Sequence, residues 1–120
     1  MAKQNIKDAI AHYEKILAEV KSGKFKSFYI LMGEEPFFSD SISEEIMNNA
    51  LTPEERGFNQ LLLYGTDVDM KQVIEASRRY PMMAARQLVV VREAQAIKDL
   101  EDLEKYLKQP LPTTILVLIL

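Results

Sequence analysis

The sequence predicts a three-layer α/β sandwich built on a mainly parallel β-sheet. Its short candidate strands are near-continuous apolar runs rather than alternating ones, which is typical of parallel strands covered on both faces. These runs alternate along the chain with segments of helical periodicity, as strands joined by right-handed crossovers require. A length of 120 residues fits a single domain with a real hydrophobic core.

The first half of the chain predicts two helices and one strand. Apolar residues recur at helical spacing over 6–20, which indicates an amphipathic first helix. The apolar run at 28–32 predicts the first strand. We expect a second helix over about 39–49, because Ser41 and Glu44 have the spacing of a capping box.

The second half continues the alternation. Thr52 and Pro53 indicate a helix start or a turn. A second strand is predicted at 60–64, and Asp69 suits the N-cap of a third helix over about 69–79. That helix must stop before Pro81, since the residue before a proline avoids the helical conformation. The remaining predicted elements are a third strand at 88–91, a fourth helix marked by Leu100, Leu103 and Leu107, and a last strand at 113–120.

Composition excludes several classes of function. The net charge of −3 argues against a domain that binds nucleic acid with its whole surface. The chain has no cysteine, so it has no disulfide or thiolate metal site, and it fits a reducing cytoplasm, where we place it. The single histidine, His12, lacks a second ligand for a metal, and we expect it to be solvated. No signal peptide is evident, and the longest apolar run, 115–120, is far shorter than the roughly 20 residues of a membrane span.

The chain stops inside this last apolar run, which has the character of a buried strand. We therefore expect the 120 residues to be the N-terminal piece of a longer protein. The alternative is a complete small protein whose last strand is central.

The junction after the first strand has the layout of a phosphate-binding loop without its chemistry. Counted from Gly33, the pattern GxxxxGK[ST] requires glycine at Phe38, lysine at Ser39 and serine or threonine at Asp40. The segment that would surround a triphosphate is Gly33, Glu34, Glu35, Pro36, Phe37 and Phe38. A glutamate about 4 Å from a phosphate charge would repel it by roughly 4 kcal/mol at an effective dielectric of 20.

The metal-binding half of such a site is altered as well. In P-loop nucleotide hydrolases a second apolar strand leads to an acidic residue that helps to hold Mg²⁺. Here Arg92 occupies the leading position, followed by Glu93. We therefore expect no nucleotide, metal or other cofactor, and a purely structural turn at Gly33. Phe37 and Phe38 are expected to be core residues, with a protein-facing aromatic pair as the alternative.

The connector between the third helix and the third strand carries two adjacent methionines. Met82 and Met83 follow Pro81, and connectors of this kind usually lie on the surface. Exposed methionine suits a protein contact, because the thioether side chain is flexible and adapts to a pocket. Alternatively, both side chains pack under the fourth helix, and the pattern leaves these two possibilities open.

Four runs, taken in order, resemble one family. They are Tyr29-Ile30-Leu31-Met32-Gly33-Glu34-Glu35-Pro36-Phe37-Phe38, then Gly57-Phe58-Asn59-Gln60, then residues 80–91, and then Pro112-Thr113-Thr114-Ile115-Leu116-Val117. Together they resemble the N-terminal domain of the bacterial DNA polymerase III delta subunit over nearly the whole chain. The resemblance implies a P-loop NTPase-like (AAA+) sandwich with a degenerate nucleotide site. Residues 1–120 would then be an AAA+-like clamp-binding domain, itself non-catalytic, within the polymerase III holoenzyme.

The resemblance also implies a role in the clamp loader, the assembly that places the sliding clamp on primed DNA during replication. Delta is described as the subunit that binds the clamp and lets one ring interface open. By position, the main clamp contact falls on Met82 and Met83, with Pro81 before them, ahead of the run Ala84-Ala85-Arg86-Gln87. Family members often carry Leu-Phe where this chain has Met-Met. The candidate residues for a polar rim around this contact are Arg78, Arg79 and Arg86.

The implied partners are the sliding clamp (beta subunit) and the other clamp-loader subunits, with DNA reached through the complex and no membrane. The family's C-terminal collar domain and a last strand of the sheet would lie beyond this chain. Two other classes of function remain open from the sequence. One is an ATP-hydrolysing P-loop protein with an atypical loop, and the other is a scaffold domain without a clamp contact.

Overall fold

Helices and strands alternate along the part of the chain that the structure, a computed structural model, describes. It describes residues 2–32 and 36–120, without the side chains of residues 2–6, 9, 36 and 37. The helices are α1 (Ala2–Lys21), α2 (Pro36–Ala50), α3 (Pro53–Asn59), α4 (Met70–Ser77) and α5 (Leu103–Leu107). The strands are β1 (Phe28–Leu31), β2 (Gln60–Tyr64), β3 (Gln87–Arg92) and β4 (Thr114–Ile119). None of the helices in these ranges is long and apolar enough to cross a membrane.

The strands form one parallel sheet in the order β1-β4-β3-β2. In the register of β4, Leu116 lies opposite Phe28 of β1 and Val89 of β3. The α/β class and the parallel sheet predicted from the sequence are confirmed.

Helices cover both faces of the sheet, because successive side chains of a strand point to opposite sides. On one face, Leu88 and Val90 of β3 pack with residues of α1 and α2, including Val20 and Ile46. On the other face, the intervening valines of β3 pack with residues of α4 and α5. The two central strands, β3 and β4, are therefore buried on both sides, and they hold the two halves of the core together.

The expectation that all strands are covered on both faces is wrong for the two edge strands. Ile30 in β1 and Leu61, Leu62 and Tyr64 in β2 are exposed. An apolar run therefore identified these strands without revealing their place in the sheet, since coverage depends on which helices cross above each strand.

Helix α2 begins earlier than the sequence indicated. It starts at Pro36, a residue that the first turn of a helix tolerates because no N–H is needed there. Ser41 therefore lies inside the helix and is not an N-cap, and its hydroxyl instead makes a 2.8 Å hydrogen bond with the hydroxyl of Tyr13 in α1. The spacing of Ser41 and Glu44 was misleading, because two residues three apart share a face anywhere in a helix.

Of the helix start and the turn considered at Thr52, the structure shows the helix start, and the N-cap expected at Asp69 is confirmed. The Glu55 N–H donates to Thr52 Oγ1, and the Thr52 N–H donates to Glu55 Oε1 at 2.9 Å, which completes a capping box for α3. Asp69 and Gln72 make the same reciprocal pair at the start of α4. The predicted fourth helix is shorter than expected, since Leu100–Asp102 is a 3-10 turn that precedes α5.

Candidate functional site

The junction where a phosphate loop was considered is described only in part. Three of its residues lie outside the described ranges: Gly33, Glu34 and Glu35. Pro36 and Phe37 belong to α2, and their side chains are likewise outside the description. The ring of Phe38 is half-buried and stacks on Tyr13, with centroids 4.5 Å apart and an angle of 23° between the planes. Phe38 thus packs between α2 and α1 at the margin of the core.

The two positions that would serve Mg²⁺ in a P-loop enzyme contact each other in this chain. Asp40 occupies the serine or threonine position of the motif, and Arg92 occupies the leading acidic position at the end of β3. Arg92 Nη1 lies 3.8 Å from Asp40 Oδ1. A guanidinium in this place repels a divalent cation. Within the described residues, no three histidine, cysteine or acidic side chains are grouped to hold a metal ion, and His12 is exposed.

The connector between α4 and β3, residues 78–86, is called the tip loop here. Its two methionines point into solvent, with Met82 61% exposed and Met83 fully exposed at 102%. The alternative in which both pack under the fourth helix is therefore wrong. Met83 also has a left-handed backbone conformation, with φ of 54°. An unbranched residue adopts that conformation at some energetic cost, so the surrounding structure must hold it in place.

A buried polar network anchors the first end of the tip loop. The two N–H groups of the Gln87 amide are shared among three acceptors: the carbonyls of Ala76 and Arg79, at 2.9 and 2.8 Å, and the hydroxyl of Thr114 at 2.9 Å. The Thr114 hydroxyl in turn donates to the Ser77 carbonyl at 2.6 Å. These strand side chains satisfy the last carbonyls of α4, so the helix ends at Ser77 and does not reach Arg79 as the sequence suggested.

A second anchor joins the middle of the loop to helix α3. Asn59, the last residue of α3, is buried, with only 3% of its surface exposed. Its Oδ1 accepts the backbone N–H of Met82 at 2.6 Å, and its Nδ2 donates to the Met82 carbonyl at 2.9 Å. The same Nδ2 donates to the Glu55 carbonyl at 3.0 Å, which fixes the carboxamide on its own helix.

Two of the three arginines expected at the rim are held by aromatic rings of the same chain. The guanidinium of Arg78 lies 4.8 Å from the ring centroid of Tyr106, and its Nη1 donates to the Gln109 carbonyl at 3.1 Å. The guanidinium of Arg86 lies 4.6 Å from the ring centroid of Phe25. Both arginines therefore brace the ends of the tip loop through cation–π contacts.

Basic side chains adjoin the tip loop although the chain is acidic overall. Arg79 is exposed on the loop itself. Arg86 lines a cavity of about 360 Å³ together with Lys24 and Lys26, at the amino ends of β1 and β4. This side of the domain therefore presents positive charge beside exposed apolar groups.

A family model described as DNA polymerase III, delta subunit, matches residues 29–120. The chain belongs to the DNA polymerase III delta subunit family. Among solved structures, the Bacillus subtilis DNA clamp loader delta protein (YqeN) is similar, with a TM-score of 0.82 and 22% sequence identity. The match covers 89% of this chain and 34% of that chain, so this chain spans about a third of the YqeN structure. At this identity the likeness shows a shared fold. A comparison with curated proteins found no match.

The chain also exposes two aromatic side chains that the sequence patterns did not assign to the site. Phe58 and Tyr80 are both largely exposed, and together with Met82 they line a groove of about 240 Å³. We call these two aromatic residues and the two methionines the apolar tip. The exposure of Phe58 could have been inferred from the sequence. Its helical neighbours at i−4 and i−3 are Glu54 and Glu55, which places the ring on a polar face. No sequence pattern indicated the contact that Asn59 makes with the loop, because its partner Met82 is 23 residues away.

Proposed function

We propose that this delta-family domain is a non-catalytic docking module of the clamp loader. It binds the DNA polymerase III sliding clamp through the apolar tip and promotes ring opening for loading onto DNA during replication. The observation that carries the proposal is the exposure of Met82 and Met83 on a loop that the rest of the domain anchors.

The energetics favour such a contact. Large apolar side chains that are exposed in the free protein gain most from burial in a partner, at roughly 1.5–3 kcal/mol for a methionine-sized side chain. A cluster of this kind suits the centre of an interface, where a few residues supply most of the binding energy. Because Gln87 and Asn59 already hold the loop, little further ordering is needed when the clamp binds.

The basic groups beside the tip suit an acidic partner surface. Arg79, Lys24 and Lys26 would face such a surface as a polar rim and would speed the encounter. Arg78 and Arg86 contribute to the rim while they brace the loop. Pro81, half-buried next to the methionines, limits the loop's freedom further.

Ring opening follows from differential affinity. A ligand shifts a conformational equilibrium only by as much as it binds one state better than the other. The domain must therefore bind the open or strained clamp more tightly than the closed ring. A tip that is braced at both ends can impose its own geometry on the clamp more effectively than a flexible loop.

We further propose that the fold is P-loop NTPase-like (AAA+) with a degenerate nucleotide site, in a cytoplasmic protein longer than these 120 residues. The ion pair between Asp40 and Arg92 supports the loss of the metal site. The similar YqeN chain, of which the match covers 34%, supports the greater length. Further partners would be the other clamp-loader subunits, with DNA reached through the complex.

Two titrations test the proposal against an ATP-hydrolysing enzyme. The chain is titrated with the purified sliding clamp, and separately with a fluorescent ATP analogue in the presence and absence of Mg²⁺. We expect saturable clamp binding and no Mg²⁺-dependent binding of the analogue. Tight, Mg²⁺-dependent nucleotide binding would favour the enzyme, whereas absence of clamp binding would favour a plain scaffold domain.

A further inference from the structure

We propose that Asn59 is the positioning residue of the clamp-docking tip, an inference that rests on the proposed function. Its carboxamide holds the backbone of Met82 to helix α3 and so presents Met82 and Met83 in the orientation that a partner meets. Asn59 itself is only 3% exposed, so it would act on a partner chiefly through the loop that it holds.

The hydrogen bonds give the carboxamide a role that few other side chains can fill. Asn59 accepts from the Met82 N–H and donates to the Met82 carbonyl, so it pairs with both polar groups of one residue, as a neighbouring β-strand would. Its second amide proton is used by the Glu55 carbonyl. A carboxamide is needed for this pattern, because a carboxylate has no donor and an aliphatic side chain offers neither donor nor acceptor.

The contact is placed where the loop most needs support. Met83, with its left-handed backbone, directly follows the residue that Asn59 holds. A buried polar group that loses its hydrogen-bond partner is costly unless it forms a hydrogen bond with water. Without Asn59, the N–H and carbonyl of Met82 would therefore turn toward solvent, and the loop would sample several orientations. The apparent affinity then falls in proportion to the fraction of molecules that keep the binding-competent orientation.

The experiment combines Asn59→Leu, which keeps the branching and the number of heavy atoms but has no hydrogen-bonding group, with Met82→Ala/Met83→Ala in a double-mutant cycle. Clamp affinity is measured for the unaltered chain, each variant and the combination. We expect Asn59→Leu to weaken binding by about tenfold. In the background lacking both methionine side chains it should have no further effect. Asn48→Leu, the same change at an exposed position of α2, is the matched control and should leave clamp affinity unchanged.

A second measurement reports on the contact itself. Amide hydrogen exchange at Met82 should accelerate in Asn59→Leu and remain slow in Asn48→Leu, since only the first change removes the acceptor of that N–H. If Asn59→Leu does not fold, Asn59→Asp replaces it. That variant keeps the shape and the acceptor but loses both donors, and it should also weaken clamp binding.

The outcomes separate the inference from the function beneath it. If the methionine variant loses clamp affinity and Asn59→Leu does not, the role of Asn59 is overturned and the docking function stands. The role is also overturned if Asn59→Leu weakens binding equally with and without the methionines, because its effect is then not exerted through them. If the methionine variant itself binds normally, the proposed function fails, and the role assigned to Asn59 in docking fails with it.

Discussion

Replacing both methionines of the apolar tip tests the proposed docking surface directly. In Met82→Ala/Met83→Ala we expect clamp affinity to fall on the order of a hundredfold. Both side chains are exposed, so the change should leave the free energy of unfolding within about 0.5 kcal/mol of the original. The loss of binding should therefore appear in a domain that is folded as before.

The magnitude follows from the exposure of each side chain. We take about 2 kcal/mol for a methionine side chain that passes from full exposure to full burial. Met83, at 102% exposure, then contributes about 2 kcal/mol, and Met82, at 61%, contributes about 1.2 kcal/mol. The sum of about 3 kcal/mol corresponds to slightly more than two decades in the dissociation constant.

The assay is a titration of the purified chain with the sliding clamp, followed by calorimetry or surface plasmon resonance, with urea unfolding in parallel. Met32→Ala is the matched control. Met32 is 65% exposed, which is close to the 61% exposure of Met82. It follows β1, however, and so lies at the carboxyl end of the sheet, opposite the tip loop. This control should bind the clamp with unchanged affinity.

Equal clamp affinities for the double variant and the unaltered chain would refute the reasoning, because no energy of burial would then come from the methionines. Equal losses in the double variant and in Met32→Ala would also refute it. That result would mean that exposed methionines affect binding irrespective of their position.

Three further predictions concern the scaffold. Thr114→Val removes the hydroxyl that completes the buried hydrogen-bond network at the end of α4. We expect it to lower the free energy of unfolding in urea by about 1–3 kcal/mol. An unchanged free energy of unfolding would contradict the assigned hydrogen bonds. Gly65→Ala places a Cβ against the backbone carbonyl of Glu93, which cannot move aside, so we expect a loss of about 1–3 kcal/mol and a lower melting temperature. Burial raises the pKa of the Tyr29 phenol above its usual 10.0, so its contribution to stability is fully present below pH 10.0 and declines as the pH rises above that value. The free energy of unfolding, measured below and above pH 10.0, should decline less in Tyr29→Phe than in the unaltered chain. An equal decline in both proteins would show that other groups cause it.

Local patterns in the sequence were sufficient for much of the fold. Apolar runs located the four strands to within one or two residues, and the N-cap at Asp69 and a helix start or turn at Thr52 were identified from residue type and from the adjacent proline. The same local reasoning failed at Ser41, where the spacing of a capping box lies inside a helix. It also extended the helix after Asp69 two residues too far, since the carbonyls at its end are taken by side chains of distant strands.

The candidate site likewise combines features that the sequence indicated with features that only the structure shows. The sequence singled out Met82 and Met83 as a loop pair, but it left open whether they pack inside or face solvent. It also offered no sign that Asp40 and Arg92, 52 positions apart, would form an ion pair. The exposure of a loop residue depends on which elements approach it, and the spacing of residues along the chain does not contain that information.

By itself, the sequence determined the α/β class, the parallel sheet and the lack of the pattern GxxxxGK[ST] after the first strand, because these depend on composition and on local spacing. The tertiary structure alone decided that the methionines face outward, that Phe58 and Tyr80 join them, and that Asn59 holds their loop. Each of these features requires groups from separate elements to meet, and only the packing of the helices on the sheet brings them together.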